Sequence, residues 1–513
     1  MIDKALPMTT QLQRLAAISP ERLRGMRRGI EKESLRSQKT GALALTPHPQ
    51  ALGSALTHPL VTTDFSESQI EIITGAHTTV QECLSELTRV HQAVYKALGD
   101  DMLWVSSMPC GLPGDETIPL ARYGTSNVGR AKSVYRMGLG HRYGRRMQTI
   151  CGIHYNWSLP GLSSEEYFAL IRNFRRHSFV LLYLFGSAPA VCSSFVKGRD
   201  HGLDVLRGQT LHRPHATSLR MGRLGYQSDA QSALSVSYNN LQDYAAELRR
   251  AMTTPYAPYE AVGVKNPGGE YNQLSTSLLQ LENEFYSLIR PKRTTRPAER
   301  PVPALLERGV EYVEVRCLDL NPFETVGINA STMRLIDIFL IHCLTSESPN
   351  DSPQEIQALA RNVDLVTSRG REPGLLLEKG GLENGETKIT LVEWANNILE
   401  QMDSVAIAID NAGGGELYQQ ALAEAKNAMS NAASLPSARV LKTVHESESG
   451  SYVGFIKEQS LKAIATLNAM PWSEADAAEF SKLAKDSLRA QAAIEENDTL
   501  PFDEYLNAML GNT

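Results

Sequence analysis

Four short stretches of this chain alternate apolar and polar positions with period two, and in each the polar face carries ionisable groups. Residues 28–35 put Glu31 and Glu33 on one side, and residues 69–73 add Glu71. Residues 148–159 place Gln148, His154 and Asn156 together, and residues 310–317 pair Glu314 with Arg316. Each stretch reads as a strand with one polar face, so together they predict a lined cavity. Helical spacing governs other segments. Val80, Leu84, Leu87, Val90, Val94 and Leu98 mark an amphipathic helix ending at Gly99. Ser19-Pro20-Glu21 has the form of a helix start that feeds the Glu31 strand. Ser163 and Glu166 form a capping box ahead of a helical run over 167–185, which Gly186 stops. Residues 198–215 show no period and are expected to form a surface loop near the site, while 280–289 is expected to be strand.

Beyond residue 330 helical patterns take over, at 333–344, from Thr390 onward, at 417–434 and at 473–496. Linkers at 345–354, 379–387 and 411–415 separate them. The expected class is therefore α+β, with a sheet-bearing catalytic part over 1–330 and a mainly helical part over 331–513.

Composition narrows the function. A chain of 513 residues with net charge −6 and no long basic block gives no support to nucleic-acid binding, and small-molecule partners are expected instead. The six cysteines, with no CxxC pair, read as cytosolic thiols. Residues 1–15 lack a signal-peptide run. The most apolar segment, 179–196, is interrupted by Gly186 and Pro189 and reads as core rather than a membrane span. A cytoplasmic location follows as an expectation.

Two carboxylates two residues apart on a strand lie about 6.6 Å apart and repel by about 2.5 kcal/mol at an effective dielectric near 20. Several converging acids therefore need a cation, and oxygen ligands with one imidazole suit Mg²⁺ or Mn²⁺. Alone, a Glu-x-Glu strand is more often a solvated face and a single histidine more often a core residue. GxxxxGK[ST], HExxH and GxSxG are all missing, and residues 138–144 miss the dinucleotide spacing by one residue. What remains is an acidic set with separate basic clusters, as expected where metal ions neutralise a nucleotide's phosphates.

The ordered segments Arg28-Gly29-Ile30-Glu31-Lys32-Glu33-Ser34-Leu35-Arg36, Thr62-Thr63-Asp64-Phe65-Ser66-Glu67, Tyr123-Gly124-Thr125-Ser126-Asn127 and Gly152-Ile153-His154-Tyr155-Asn156 resemble those of proteobacterial glutamate-cysteine ligases. So do Ala216-Thr217-Ser218-Leu219-Arg220, Ile289-Arg290-Pro291-Lys292-Arg293 and Tyr312-Val313-Glu314-Val315-Arg316. The resemblance runs over about residues 20 to 330 and thins beyond. It implies an active-site sheet like that of glutamine synthetase. The implied reaction joins the γ-carboxylate of L-glutamate to the amine of L-cysteine through γ-glutamyl phosphate, with ATP as co-substrate and Mg²⁺ or Mn²⁺ as cofactor. A monomer is implied as well.

Carried over residue by residue, the resemblance implies Glu31, Glu33, Asp64, Glu71, His154 and Glu314 as metal ligands, with Asp64 also in a catalytic role alongside Arg316. Arg290, Lys292 and Arg293 would hold the nucleotide's phosphates. Arg220 would hold a substrate carboxylate, and Tyr135, Gln148, Tyr226 and Tyr286 would form the cysteine pocket, where aromatic groups suit a small polarizable thiol. Glu67 is expected to be structural. A related ligase taking another amine or acid, and a non-catalytic nucleotide- or metal-binding relative, remain the alternatives.

Overall fold

The computed structural model describes residues 6–225, 229–232, 234–296, 299–380, 387–447 and 450–511. Its centre is an antiparallel sheet of β1 (Arg27–Ser37), β2 (Val61–Thr63), β3 (Gln69–Ile73), β4 (Met102–Leu103), β5 (Ile153–Ser158), β9 (Ile289–Lys292) and β10 (Tyr312–Leu318). The spatial order is β2-β3-β1-β5-β10-β9, and β4 pairs with the far end of β1. Pro291 lacks the N–H a central strand must donate, and β9 is an edge strand, where that loss is tolerated. The three connecting strands β6 (Ala190–Cys192), β7 (Asp204–Arg207) and β8 (Thr210–His212) form a small separate sheet.

One face of the main sheet is apolar. Ile30, Ile70, Ile72, Tyr155, Trp157, Val313 and Val315 are buried there, beneath a layer that includes the helices Val80–Ala97, Ser164–His177 and Ala330–Thr345. Two charged residues on this face are matched by the helices. The Arg28 guanidinium donates to Asp337 at 3.0 Å, and Asp337 also accepts from the Tyr155 hydroxyl at 2.8 Å. Lys32 Nζ lies 2.9 Å from His91 Nε2, and burial pulls the ammonium down to about 7. Removing one partner of a buried ion pair such as Arg28–Asp337 typically costs 3–5 kcal/mol, roughly, so the contact clamps the sheet to its helical layer.

The caps at Ser19, Ser163, Thr390 and Ser473 form as the sequence predicts, each side chain accepting a backbone N–H of the first turn, and Thr79 caps the helix Val80–Ala97 in the same way. After residue 330 the described chain is helical except for the hairpin of β11 (Leu376–Lys379) and β12 (Thr387–Thr390). Residues 381–386 of one expected linker lie outside the described residues. One continuous hydrophobic cluster runs from Leu15 to Phe480, so sheet and later helices share a core.

Several expectations are corrected. Gln148 is not on a strand: it ends the short helix Arg145–Gln148, and β5 begins only at Ile153. The stretch 198–215 contains the paired strands β7 and β8, whose alternation is masked because β7 is solvent-exposed. Residues 280–289 hold a 3-10 turn, Glu282–Glu284, and the strand starts at Ile289. The run 167–185 is two helices broken at Ser178, Ser164–His177 and Phe179–Phe185. Cys110 and Cys192 are joined in a disulfide, 82 residues apart, contrary to the all-thiol reading; no local spacing signals a pair that only folding brings together. The other four cysteines are free and buried.

Candidate active site

The opposite face of the sheet is polar, and strand register decides which groups meet. Glu31 stands across from His154, Glu33 from Glu71, and Glu314 from Asn156 on one side and Arg290 on the other. Directly opposed residues of antiparallel strands share a face. Five strands thus deliver Glu31, Glu33, Glu71, His154, Glu314, Arg290 and Lys292 to one cavity of about 420 Å³. Arg316, Asp64, Tyr135, Gln148 and Tyr286 line it too.

The electrostatics divide the acids into two groups. Glu314 accepts from Lys292 Nζ at 3.1 Å and from Arg316 Nη1 at 3.0 Å, with Arg290 at 3.9 Å. Burial opposes its charge, but Lys292, Arg316, His154 and Arg290 outweigh it and hold the carboxyl well below the usual range. Glu31 is likewise lowered, since against burial it gains a 3.1 Å contact to His154 Nδ1 and the Lys292 charge; it also accepts from Asn156 Nδ2 at 3.0 Å. Glu33 and Glu71 go the other way. Burial and the nearby Asp64 push Glu33 up to about 8, although it accepts from Gly152 N–H at 2.7 Å. Burial and then Glu31, Asp64 and Glu33 raise Glu71 well above the ordinary value.

These surplus acids fit a divalent cation. Ligand atoms of Glu31, His154 and Glu314 all lie within 4.8 Å of one another. His154 Nε2 is buried without a hydrogen-bond partner and has Glu33 Oε1 4.0 Å away. Burial and the Arg316 charge lower the imidazole's proton affinity, which favours the neutral form that a ligand needs. Carboxylate oxygens with one such nitrogen suit Mg²⁺ or Mn²⁺.

Other expected residues fall elsewhere. Tyr286 lines the cavity and accepts from Gln148 Nε2 at 2.9 Å, so Gln148 reaches the site from its helix rather than from β5. Arg220 does not line the cavity: it is fully buried behind the wall, 3.6 Å from Asp319, and donates to the Arg316 carbonyl at 2.9 Å. The structure thus places it apart from the other expected substrate groups, behind Arg316. Arg293 also stands apart from the cavity lining. Period two on β9 puts Arg290 and Lys292 on the polar face but turns Arg293 away, and its Nε donates to the Gly309 carbonyl at 2.6 Å. Tyr226 lies outside the described residues. Glu67 is structural as expected, accepting the backbone N–H of His48 at 2.9 Å and of Arg122 at 2.8 Å.

Further lining residues were not anticipated. Lys132 and Arg136 lie on the helix Asn127–Tyr143 with Tyr135 and Leu139, on the face that spacing of three, four and seven residues defines. That spacing is visible in the sequence, though the helix has almost no apolar stripe to draw attention to it. Tyr505 and Met509 come from the helix Phe502–Leu510, and no local signal links them to the site. At the other end of the sheet, the polar face of β5 continues from Asn156 to Ser158, at a cavity of about 470 Å³ lined also by Arg27, Thr78, Leu162, Tyr167 and Glu311.

Comparison with known proteins adds the family. The model of the family described as glutamate-cysteine ligase matches residues 12–162 and 161–366. The glutamate-cysteine ligase of Alcanivorax borkumensis is 46% identical over 506 residues, covering 94% of this chain and 95% of that protein. That of Azotobacter vinelandii is also 46% identical, over 507 residues, covering 95% of this chain and 94% of the relative. Among solved structures, a Francisella tularensis glutamate-cysteine ligase in complex with AMP superposes with a TM-score of 0.89 at 34% identity, over 95% of this chain and 98% of that one. A bifunctional glutathione synthetase from Pasteurella multocida shares the fold, with a TM-score of 0.71 at 22% identity over 93% of this chain and 58% of that one. No helix among the described residues is long and apolar enough to cross a membrane.

Proposed function

This chain belongs to the glutamate-cysteine ligase family, and from that premise we propose how its residues carry out the reaction. It is an ATP-dependent ligase that forms γ-glutamylcysteine, a step of glutathione synthesis. A carboxylate is a poor electrophile. An oxygen of the glutamate γ-carboxylate therefore attacks the γ-phosphorus of ATP, the bond to the ADP oxygen breaks, and γ-glutamyl phosphate forms. The cysteine amine then attacks the carbonyl carbon, the carbon–oxygen bond to phosphate breaks, and inorganic phosphate leaves with the amine's surplus proton lost to a base.

Glu31, Glu33, Asp64, Glu71, His154 and Glu314 are the groups we assign to Mg²⁺ or Mn²⁺. Such ions, when bound, neutralise phosphate oxygens and lower the cost of building charge on them. Asn156 fixes the Glu31 carboxylate opposite His154. Lys292 and Arg290 hold the phosphates from the edge strand, and Ser158 with the cavity beside it takes the nucleoside. Arg316, oriented by its bond to Glu314, stabilises the phosphoryl group in transfer. Arg220 keeps that arginine's backbone in place through the Arg316 carbonyl. Tyr135, Gln148 and Tyr286 surround the cysteine side chain, and Asp64, partly exposed at the rim, accepts the proton from the attacking amine.

One observation carries this reading: acids on adjacent strands converge on the buried His154 imidazole, Glu31 and Glu314 on its Nδ1 side and Glu33 on the side of the unpartnered Nε2, with Lys292 and Arg316 beside Glu314. ADP release should require glutamate, an amine and a divalent cation together. In a panel of amino acids, cysteine should give the highest kcat/KM. ADP release independent of glutamate, or an acid or amine preferred well above glutamate or cysteine, would overturn it.

A further inference from the structure

The cavity's tyrosine end is closed by a helix distant in sequence from every strand. Phe502–Leu510 has two adjacent rows at i, i+4 spacing. Phe502 and Leu506 are buried in a small cluster with Ala131 and Leu274 that is separate from the main core. Tyr505 and Met509 form the other row; they pack on the same cluster beside Tyr135 and line the cavity. One row anchors and the other faces the site.

The anchoring is specific. The Arg130 guanidinium lies over the Phe502 ring at 4.1 Å, and Tyr271 meets that ring edge-on at 5.3 Å. Asp503 accepts from Lys265 at 2.9 Å and from the Tyr271 hydroxyl at 2.5 Å. Just before the helix, Asn127 Nδ2 donates to Asp498 at 2.6 Å and to the Leu500 carbonyl at 2.8 Å. Asn127 begins the helix that carries Lys132, Tyr135 and Arg136, so these contacts tie the two cavity-lining helices together. Arg300 fixes the far end through the Leu510 carbonyl at 3.2 Å.

We propose that Met509 and Tyr505 complete the pocket for the side chain of the amine substrate and so help set which amine is accepted. This rests on the assignment of Tyr135 to that pocket. A thioether is flexible and polarizable, so Met509 adapts to a small soft group such as a thiol or methyl, and its loss opens room for a longer one. Specificity then comes from residues some 370 positions apart in the chain, Met509 and Tyr135, that line one cavity.

The test is steady-state kinetics of the full-length protein with each substrate varied. Met509→Ala should raise KM for cysteine about tenfold, the scale of one or two methylenes in an apolar pocket, while KM for glutamate and for ATP stays within about twofold. It should also improve homocysteine relative to cysteine. Met509→Phe, which fills space and retains the helix, should raise KM for cysteine and 2-aminobutyrate more than for alanine. Tyr135→Ala, run in parallel, separates the two claims. If Tyr135→Ala raises KM for cysteine and neither Met509 variant does, the helix plays no part in amine choice and the inference is wrong. If Tyr135→Ala and Met509→Ala both act on glutamate alone, the pocket assignment fails and takes this inference with it. An equal rise in all three KM values would mark a structural wall without selectivity and would also overturn it.

Discussion

Glu33 and Glu71 stand directly opposite each other across the β1–β3 pair, and both carboxyls are pushed up from the ordinary carboxylate range. The pair is destabilising when both are ionised, because each is withdrawn from water beside other acids, and Arg220 and Arg316 near Glu33 and Arg136 near Glu71 offset this only in part.

A stability profile follows. Burial and then Asp64 push Glu33 up to about 8 in the folded protein, from an ordinary glutamate value of 4.5. The folded state therefore holds a proton that the unfolded chain has released. Its contribution is a stability that falls as pH rises from about 4.5 to about 8. In chelator, Glu33→Gln should be more thermostable than the parent at pH 8, with the gap closing toward pH 5. Adding Mg²⁺ should reverse the order at pH 8. A gap that does not change with pH would show that the carboxylate carries no such strain.

Activity should move opposite to stability. Glu71→Gln is expected to raise the melting temperature of the metal-free protein, yet lower kcat by at least about a hundredfold and shift the Mg²⁺ titration to higher concentration, since outer and inner ligand losses typically cost 10–100-fold or more. Unchanged Mg²⁺ dependence would remove Glu71 from the metal set.

Arg316 should matter to the phosphoryl step rather than to binding. Arg316→Ala is expected to leave KM for glutamate within a few fold and reduce kcat about 10²–10³-fold, the range for losing one donor to a developing charge. In the parent, glutamate labelled with ¹⁸O in its γ-carboxylate should deliver one labelled oxygen to the released phosphate. Label-free phosphate would exclude an acyl phosphate.

Arg293 and Arg290 differ by three residues and should behave differently. Arg293 donates to the Gly309 carbonyl, whereas Arg290 faces the cavity 3.9 Å from Glu314. Arg293→Met should leave KM for ATP nearly unaltered and cost about 1 kcal/mol of stability for one lost hydrogen bond. Arg290→Met should impair ATP use by tenfold or more. Equal effects would return Arg293 to the phosphate set.

The Gln148–Tyr286 contact offers a further check on the amine pocket. Tyr286→Phe, Gln148→Leu and the double variant should raise KM for cysteine less than additively, because either single change already breaks their 2.9 Å hydrogen bond. Strict additivity would mean that the two act independently.

What the sequence determined by itself is whatever backbone geometry repeats locally. Period two alone puts Glu31 with Glu33 and Glu314 with Arg316, and helix caps at Ser19, Thr79, Ser163, Thr390 and Ser473 are written in a few adjacent residues. The ordered motifs then identified the family. Tertiary structure decided what no local period contains: which strands are neighbours, and in what register. That choice sets Glu31 against His154 and Glu33 against Glu71, and a one-residue slip would have turned the acids onto the apolar face. It also withdrew Arg220 and Arg293 from the cavity, brought Gln148 in from a helix, joined Cys110 to Cys192, and set Met509 and Tyr135 against one small cluster at the same cavity. Each of these depends on burial shared among segments far apart in the chain, and such burial exists only once the whole core has closed.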